Sequence, residues 1–128
     1  MKLGDISVSY VEILYKAMLS LESNPQLILQ QFGLNEVTLA SPDARISIPR
    51  FMRLGFASIQ YCQKPWLGLE MGRVTRAANL GISGLMAMCS ADLKHACQNI
   101  SRYELLSSYN ARGQSQFYQS QGFGIAQF

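Results

Sequence analysis

The residues of this sequence that could bind a metal or act as nucleophiles are three cysteines and one histidine. Cys89, His95 and Cys97 are close in the chain, but His95 and Cys97 would point about 200° apart on a helix. No two cysteines have the C-x2-C spacing of a structural zinc site. We therefore expect no bound metal, no disulfide bond, reduced and mostly buried thiols, Cys62 included, and a surface histidine.

The acids and glycines likewise match no catalytic or nucleotide-binding pattern. We expect no carboxylate to pair with His95, and none of the eight acids belongs to a recognisable acid–base motif. The glycines at 68, 72, 81 and 84 fit neither the P-loop nor the dinucleotide-binding spacing. An active site can still assemble from distant positions, so an enzyme is a third class that a structure must address. The sequence itself predicts a protein that is not an enzyme and has no cofactor.

Basic residues are concentrated in the middle of the chain. Residues 45 to 76 contain one acid, Glu70, and six basic residues, namely Arg45, Arg50, Arg53, Lys64, Arg73 and Arg76. One interpretation is a solvated basic face. The other is a site that attracts an anion, because guanidinium groups form paired hydrogen bonds with carboxylate or phosphate. The net charge of +3 is too small to indicate a dedicated nucleic-acid binder.

A small, predominantly helical domain of the α+β class must position these residues. With 128 residues, 48% of them hydrophobic and 15% charged, the chain has room for one domain with a true core. Pro, Gly and polar capping residues predict helices over 25–32, 49–63, 65–71 and 91–105, the last one capped by Ser90. In total we expect five to six helices, followed by a short antiparallel hairpin within residues 114–128.

The first predicted helix, residues 7–21, is apolar around most of its circumference. A surface helix needs an apolar stripe of only about 100°, so this helix either runs through the core or also contributes to a subunit interface. Glu12 and Lys16 are spaced to form an ion pair one helical turn apart. The polar residues occupy one narrow strip, formed by Ser9, Glu12, Lys16 and Ser20.

The helix over 49–63 has two apolar faces, separated by a thin polar seam of Arg53 and Gln60, which predicts a central position. Residues 34–41 indicate a turn of helix and then a loop, residues 45–48 an extended link, and residues 73–79 a polar loop. In the nearly uncharged segment 80–89, Gly81 and Gly84 would allow close approach to another backbone. The helix after it has an apolar face of Leu93, Ala96, Cys97, Ile100 and Tyr103.

Nothing at the start of the sequence is typical of a targeting signal, and no apolar run approaches the ~20 residues that cross a bilayer. We expect a cytoplasmic protein that does not bind membranes.

Several short motifs, taken in order, carry a family resemblance. They are SPDARISIPRFMRL at 41–54, WLGLEMG at 66–72, NLGISGL at 79–85, SADL at 90–93 and ISRY at 100–103. Their order and spacing, from about residue 11 to 106, resemble the N-terminal effector domain of AraC-type bacterial transcriptional regulators, in the helical group labelled arabinose-binding. The label does not identify the ligand, because the founding arabinose sensor is a β-barrel and this chain is mainly helical.

The resemblance implies a domain that senses a small molecule, forms a homodimer, and is joined to a C-terminal pair of helix-turn-helix motifs that binds DNA. We expect residues 1–128 to be one effector-binding and dimerisation domain, truncated before its sheet is complete, which would bind DNA only through the missing C-terminal part. The alternative is a free-standing helical adaptor that binds protein partners and no metabolite.

For the effector we predict a pocket between the helix over 49–63 and the segment 80–89. Ligand sites are mostly apolar with a few polar groups, and the residues near these segments have that composition. Tyr61 and Trp66 would form walls, and the flexible Met86 would add apolar contact. Arg53, Arg76 or Asn79 would orient a small anionic metabolite. The competing interpretation makes the aromatic and methionine side chains plain core and the arginines plain surface.

Overall fold

The computed structural model describes residues 4–41, 43–103, 116–120 and 122–127. They confirm a mostly helical α+β fold with two small antiparallel sheets. The chain forms two compact units, which we call the N-terminal unit (Ile6–Thr75) and the C-terminal unit (Arg76–Phe128 with Met1–Asp5).

In chain order, the first half contains β1 Asp5–Ser7, α1 Ser9–Ser20, α2 Gln26–Gln31, α3 Glu36–Ala40, β2 Arg45–Ser47, α4 Ile48–Cys62 and α5 Leu67–Val74. The second half contains a 3-10 helix Ala77–Leu80, α6 Ile82–Met88, α7 Leu93–Arg102, β3 Gln116–Ser120 and β4 Phe123–Gln127. Strand β1, which pairs with β2, and the 3-10 helix were not predicted from the sequence.

Helix α1 runs through the core of the N-terminal unit, as the first of the two interpretations required. Val11, Leu14, Ala17 and Met18 have no solvent exposure, and α3, α4 and α5 pack around the helix. Ile28 and Leu29 of α2 and Leu54 of α4 belong to the same core. Most of the apolar circumference of α1 is therefore covered within its own unit, although Leu19 near the end of the helix is 50% exposed.

Helix α4 is not central, contrary to the prediction. Leu54, Ser58 and Cys62 are buried, but Met52 is 61% exposed and Phe56 is 63% exposed. Helix α4 contacts α1, α2 and β2, and these contacts leave Met52 and Phe56 at the surface. The apolar periodicity correctly indicated a second apolar face on this helix. Periodicity alone does not determine whether another element covers that face.

Two predicted helix boundaries were wrong. Gly72 lies inside α5, and the helix ends where Thr75 turns to an extended backbone and donates its hydroxyl to the Met71 carbonyl at 2.7 Å. Helix α7 begins after Asp92, whose carboxylate accepts the His95 N–H at 2.8 Å. Ser90 does not cap α7, because its hydroxyl donates to the Met86 carbonyl at 2.8 Å. The predicted end of this helix at residue 105 lies outside the described residues.

The apolar face predicted for α7 is correct only in part. Ala96, Cys97 and Ile100 are half-buried, but Leu93 is 79% exposed. Leu93 is the first residue of the helix, and α7 packs against α6.

The C-terminal hairpin is confirmed for the residues described. Strands β3 and β4 are antiparallel, with Ser120 opposite Phe123, and β3 lies against α7. The ring of Phe117 covers Gly124 on the neighbouring strand, where a Cβ atom would lie 2.7 Å from its Cζ.

The two glycines of the segment 80–89 have different roles. Gly81 precedes α6 with φ +63° and ψ −139°, a backbone conformation that L side chains rarely adopt. Gly84 is buried where α6 meets the 3-10 helix, and a Cβ atom there would lie 1.7 Å from the Ala77 carbonyl oxygen. The predicted close backbone approach is thus confirmed at Gly84, whereas Gly81 is required by its dihedral angles.

We expect Gly84→Ala to lower the free energy of unfolding by at least about 1–3 kcal/mol, because the backbone of Ala77 must move to admit the methyl group. Gly72→Ala is the matched control. Apart from its chain neighbours and the backbone of its own helix, no atom lies within 4 Å of the position a Cβ would take at Gly72, so the better helix propensity of alanine should raise stability by about 0.5–1 kcal/mol. Urea unfolding of both variants measures the difference, and equal stability of the two would contradict the close contact.

Candidate functional site

A cleft with a volume of 730 Å³ lies among α1, α2 and α3 in the N-terminal unit. Sites for small molecules in proteins typically have volumes of about 300–1,000 Å³, so the cleft has the size of a ligand site. Its lining residues all fall between positions 12 and 40: Glu12, Tyr15, Lys16, Gln26, Leu29, Gln30, Leu34, Asn35, Glu36, Val37, Leu39 and Ala40.

The floor of the cleft is apolar. Leu29 and Leu34 are buried, and Tyr15 and Leu39 are half-buried against the core. The chain brings Leu34 under the cleft by a turn after α2, in which Gly33 has φ +62° and the Leu34 N–H donates to the Leu29 carbonyl at 2.9 Å. The part of the floor that stays accessible, at Tyr15 and Leu39, favours a ligand with apolar surface of its own.

The short helix α3 is held at the rim by its own cap. The side-chain oxygen of Asn35 accepts the Thr38 N–H at 2.8 Å and the Thr38 hydroxyl at 2.9 Å. This cap fixes the first turn of α3 and places Glu36 at the edge of the cleft.

The charged groups of the rim are two carboxylates and one ammonium, from Glu12, Glu36 and Lys16. Glu12 is half-buried. The predicted Glu12–Lys16 ion pair was wrong: among the described residues, ion pairs form between Glu70 and Arg73 and between Asp92 and His95. An exposed pair of this spacing contributes only about 0.2–0.5 kcal/mol, which is not enough to fix two long side chains.

The cleft explains the narrow polar strip of α1. At the ends of the strip, Ser9 donates its hydroxyl to the Ser7 hydroxyl at 3.0 Å, and Ser20 donates to the Glu70 carboxylate. The two middle residues of the strip line the cleft. The strip was visible in the sequence, but it was not recognised as the wall of a site. A polar strip on an otherwise buried helix was the signal that could have located the cleft.

Three of the predicted site residues belong to the N-terminal unit, and none of them lines the cleft. Arg53 and Tyr61 lie on α4, where Arg53 is exposed and Tyr61 is 42% exposed. Trp66 precedes α5 and is 49% exposed, with the Lys64 ammonium 5.2 Å from its ring centre. These aromatic side chains are therefore not buried core.

The other three predicted site residues belong to the C-terminal unit. The structure brings two of them into contact: the Arg76 N–H donates to the Asn79 side-chain oxygen at 2.8 Å, and the Asn79 N–H donates to the Arg76 carbonyl at 2.9 Å. These bonds hold the first turn of the 3-10 helix, so one face of the Asn79 amide is already occupied. Met86 is half-buried on α6.

The basic segment 45–76 is not a uniform solvated face. Arg50 donates to the Phe32 carbonyl at the end of α2, and Arg73 forms a forked ion pair with Glu70. Arg53 and Arg76 have exposed side chains with no hydrogen bond or ion pair to a described residue. Guanidinium groups in that state are the ones available to an anion.

The histidine and cysteines were predicted only in part. The expectation that no carboxylate pairs with His95 was wrong, because Asp92 Oδ1 lies 2.8 Å from His95 Nδ1. Asp92 precedes His95 by three residues in the sequence and caps the same helix. His95 is at the surface as predicted, and all three thiols are free.

The thiols are less buried than expected. Cys62 is buried, but Cys97 is half-buried and Cys89 is exposed at the end of α6. In the part of the chain that the structure describes, no three His, Cys, Asp or Glu residues form a group that could hold a metal ion.

Residues 23–122, well over half of the chain, match a family model described as the arabinose-binding domain of AraC transcription regulator, N-term. No curated protein matches the chain significantly. No helix among the described residues is both long enough and apolar enough to span a membrane.

The Glu70–Arg73 ion pair within α5, which α1 joins through the hydrogen bond from Ser20, should make stability depend on acid pH. The Arg73 guanidinium, followed by the Ser20 hydroxyl, lowers the pKa of Glu70 from 4.5 to about 2. Because the pKa is lower in the folded state, this contribution is complete above pH 4.5, decreases between pH 4.5 and about 2, and is absent below. We expect Glu70→Gln to reduce stability at pH 7 and to flatten this part of the profile.

Urea unfolding between pH 2 and pH 7 measures the effect as a difference between wild type and variant. Glu22→Gln, which removes an exposed carboxylate outside this cluster, serves as the control. Parallel profiles for Glu70→Gln and wild type would contradict the assignment.

Proposed function

The chain belongs to the family of N-terminal arabinose-binding domains of AraC transcription regulators, as its motifs indicated, and we propose that it senses a small effector for an attached DNA-binding domain. Membership makes it a ligand-binding regulatory domain. The family match over residues 23–122 is the observation that carries the proposal. The mainly helical fold supports it, because the resemblance was to the helical group of these domains.

In the proposed mechanism, binding energy is the output. An effector that prefers one conformation of the domain shifts the regulator toward it by the difference in affinity. A hundredfold preference corresponds to about 2.7 kcal/mol, since each factor of ten is worth about 1.4 kcal/mol. DNA contact belongs to a C-terminal pair of helix-turn-helix motifs, and the regulator acts in the cytoplasm, where its DNA is.

The candidate effector contacts in this proposal are the six predicted residues, each within its own unit: Arg53, Tyr61 and Trp66 in the N-terminal unit, and Arg76, Asn79 and Met86 in the C-terminal unit. The proposal is supported by side chains that remain free to contact a ligand. The guanidinium groups of Arg53 and Arg76 have no partner among the described residues, and half of the Trp66 surface is exposed. A small anionic metabolite would accept paired hydrogen bonds from an exposed guanidinium, and in the N-terminal unit it could also cover an aromatic ring.

We also propose that the domain forms a homodimer through its C-terminal hairpin. Tyr118, Phe123 and Ile125 are each more than half exposed on β3 and β4. Each of these strands has one unpaired edge in the described structure, and a two-stranded ribbon is marginal by itself in water. A second copy could cover both the edge and the aromatic side chains.

A free-standing adaptor is the second candidate, and the exposed Met52 and Phe56 on α4 favour it. An adaptor would use this apolar face for a protein partner and would bind no metabolite. Ligand titration therefore separates the two functions.

The effector site is tested by titrating the chain with succinate, inorganic phosphate and L-arabinose while following fluorescence of Trp66, the single tryptophan. We expect one of the anions to change the emission, and Arg53→Ala and Arg76→Ala each to weaken its binding about tenfold, the loss of one charged hydrogen bond. Arg102→Ala, outside the basic segment, should bind as wild type does. Equal affinity in all four proteins would remove these arginines from the site.

Self-association is tested by light scattering of the chain at micromolar concentrations. We expect a dimer, and we expect Ile125→Glu to yield monomers because it places a charge on the proposed interface. Gln119→Glu adds the same charge at an exposed position of β3. We expect a larger fraction of this variant than of Ile125→Glu to be dimeric. A monomeric wild type would contradict this part of the proposal and would leave effector binding to its own test.

A further inference from the structure

We propose that the cleft among α1, α2 and α3 binds a small amphipathic amine, that is, a molecule with a short apolar body and one protonated amino group. The proposal goes beyond the proposed function, because none of the six predicted effector residues lines this cleft. It rests on the shape of the cleft, on the apolar floor, and on the sign of the charge at the rim.

The floor selects an apolar body. The side chains of Leu29, Leu34 and Leu39 line the cleft together with the ring of Tyr15, and the first two are otherwise buried in the core. A hydrocarbon chain placed against the half-buried Tyr15 and Leu39 removes water from both surfaces, and each methylene group of the ligand that is buried adds to the affinity. A fully hydroxylated ligand would gain less from this floor, because its hydroxyls would be desolvated against leucine.

The rim selects a cation. Glu12 is half-buried in the wall of the cleft and has neither an ion pair nor a hydrogen bond with any described side chain. Glu36 adds a second carboxylate, while Lys16 supplies one ammonium, so the rim has a net negative charge. An anionic ligand would meet two like charges, whereas an ammonium group can donate charge-assisted hydrogen bonds to the carboxylate of Glu12.

The amides of the rim are consistent with a donor-rich head group. Gln26 and Gln30 of α2 are exposed, and their side-chain oxygens can accept the remaining N–H groups of an ammonium. Asn35 is less available, since its oxygen already accepts two hydrogen bonds from Thr38.

The head group is tested with three probes that share one apolar body: hexylamine, hexanol and hexanoate. Titrated into the full chain and followed by NMR of leucine methyl groups, hexylamine should bind most tightly and hexanoate most weakly. The shifts should be confined to Leu29, Leu34 and Leu39, while Leu54 and Leu67, which do not line the cleft, stay unchanged.

Single-residue variants test whether the ammonium group of hexylamine contacts Glu12. Glu12→Gln should weaken hexylamine binding about tenfold, equivalent to about 1.4 kcal/mol, and leave hexanol binding unchanged. Lys16→Gln should strengthen hexylamine binding, because it removes the like charge. Glu22→Gln is the matched control, since it deletes a carboxylate just after α1 that does not line the cleft, and it should bind hexylamine as wild type does.

The proposal is overturned if hexanoate binds as tightly as hexylamine, if Glu12→Gln and Glu22→Gln have equal effects, or if the shifted methyl groups lie elsewhere. Failure of the proposed function is a separate result. It would be seen as the absence of any effector that changes Trp66 fluorescence, an outcome that leaves the hexylamine titration unaffected.

Discussion

The N-terminal unit depends on the burial of α1. A twelve-residue helix is only marginally stable alone in water, so α1 persists because neighbouring elements cover it. Val11, Leu14 and Ala17 are fully buried, and this degree of burial requires packing on several sides. Helices α3, α4 and α5 supply it, and their positions follow from this requirement. The polar strip stays open to water at Glu12 and Lys16, and the cleft lies there.

The C-terminal unit depends on a different constraint, the contact of two backbones. Helix α6 has only seven residues and buries Ser83 and Gly84, so side-chain packing contributes little there. The absence of a Cβ at Gly84 lets the helix approach Ala77 closely, and the Ser83 hydroxyl donates to the Leu80 carbonyl at 2.8 Å. Dense packing against the 3-10 helix thereby replaces the apolar side chains that a longer helix would use.

Sequence patterns predicted the elements better than their surroundings. Proline starts, the periodicity of α1 and the turn residues of the hairpin are local signals, and those elements were found. The exposed side of α4 and the cap of α7 depend on what lies nearby in space. The periodic pattern assigns Met52 and Phe56 to the core, but both are exposed. The sequence also predicts Ser90 as a cap, but its hydroxyl donates to the Met86 carbonyl instead. The cleft likewise requires α2 and α3 to stand beside α1, and no local pattern contains that information.

The availability of charged groups, rather than their number, separates the two kinds of binding chemistry in the N-terminal unit. Arg50 and Arg73 contribute to the excess of positive charge but are used internally, at the end of α2 and on Glu70. That leaves Arg53 as an unpaired guanidinium on α4, while Glu12 is an unpaired carboxylate on α1. Both helices belong to one core, which is close-packed and therefore responds to a displaced helix as a whole. A ligand on either helix can influence the other only if it prefers one arrangement of that core, because equal affinity for two arrangements shifts neither.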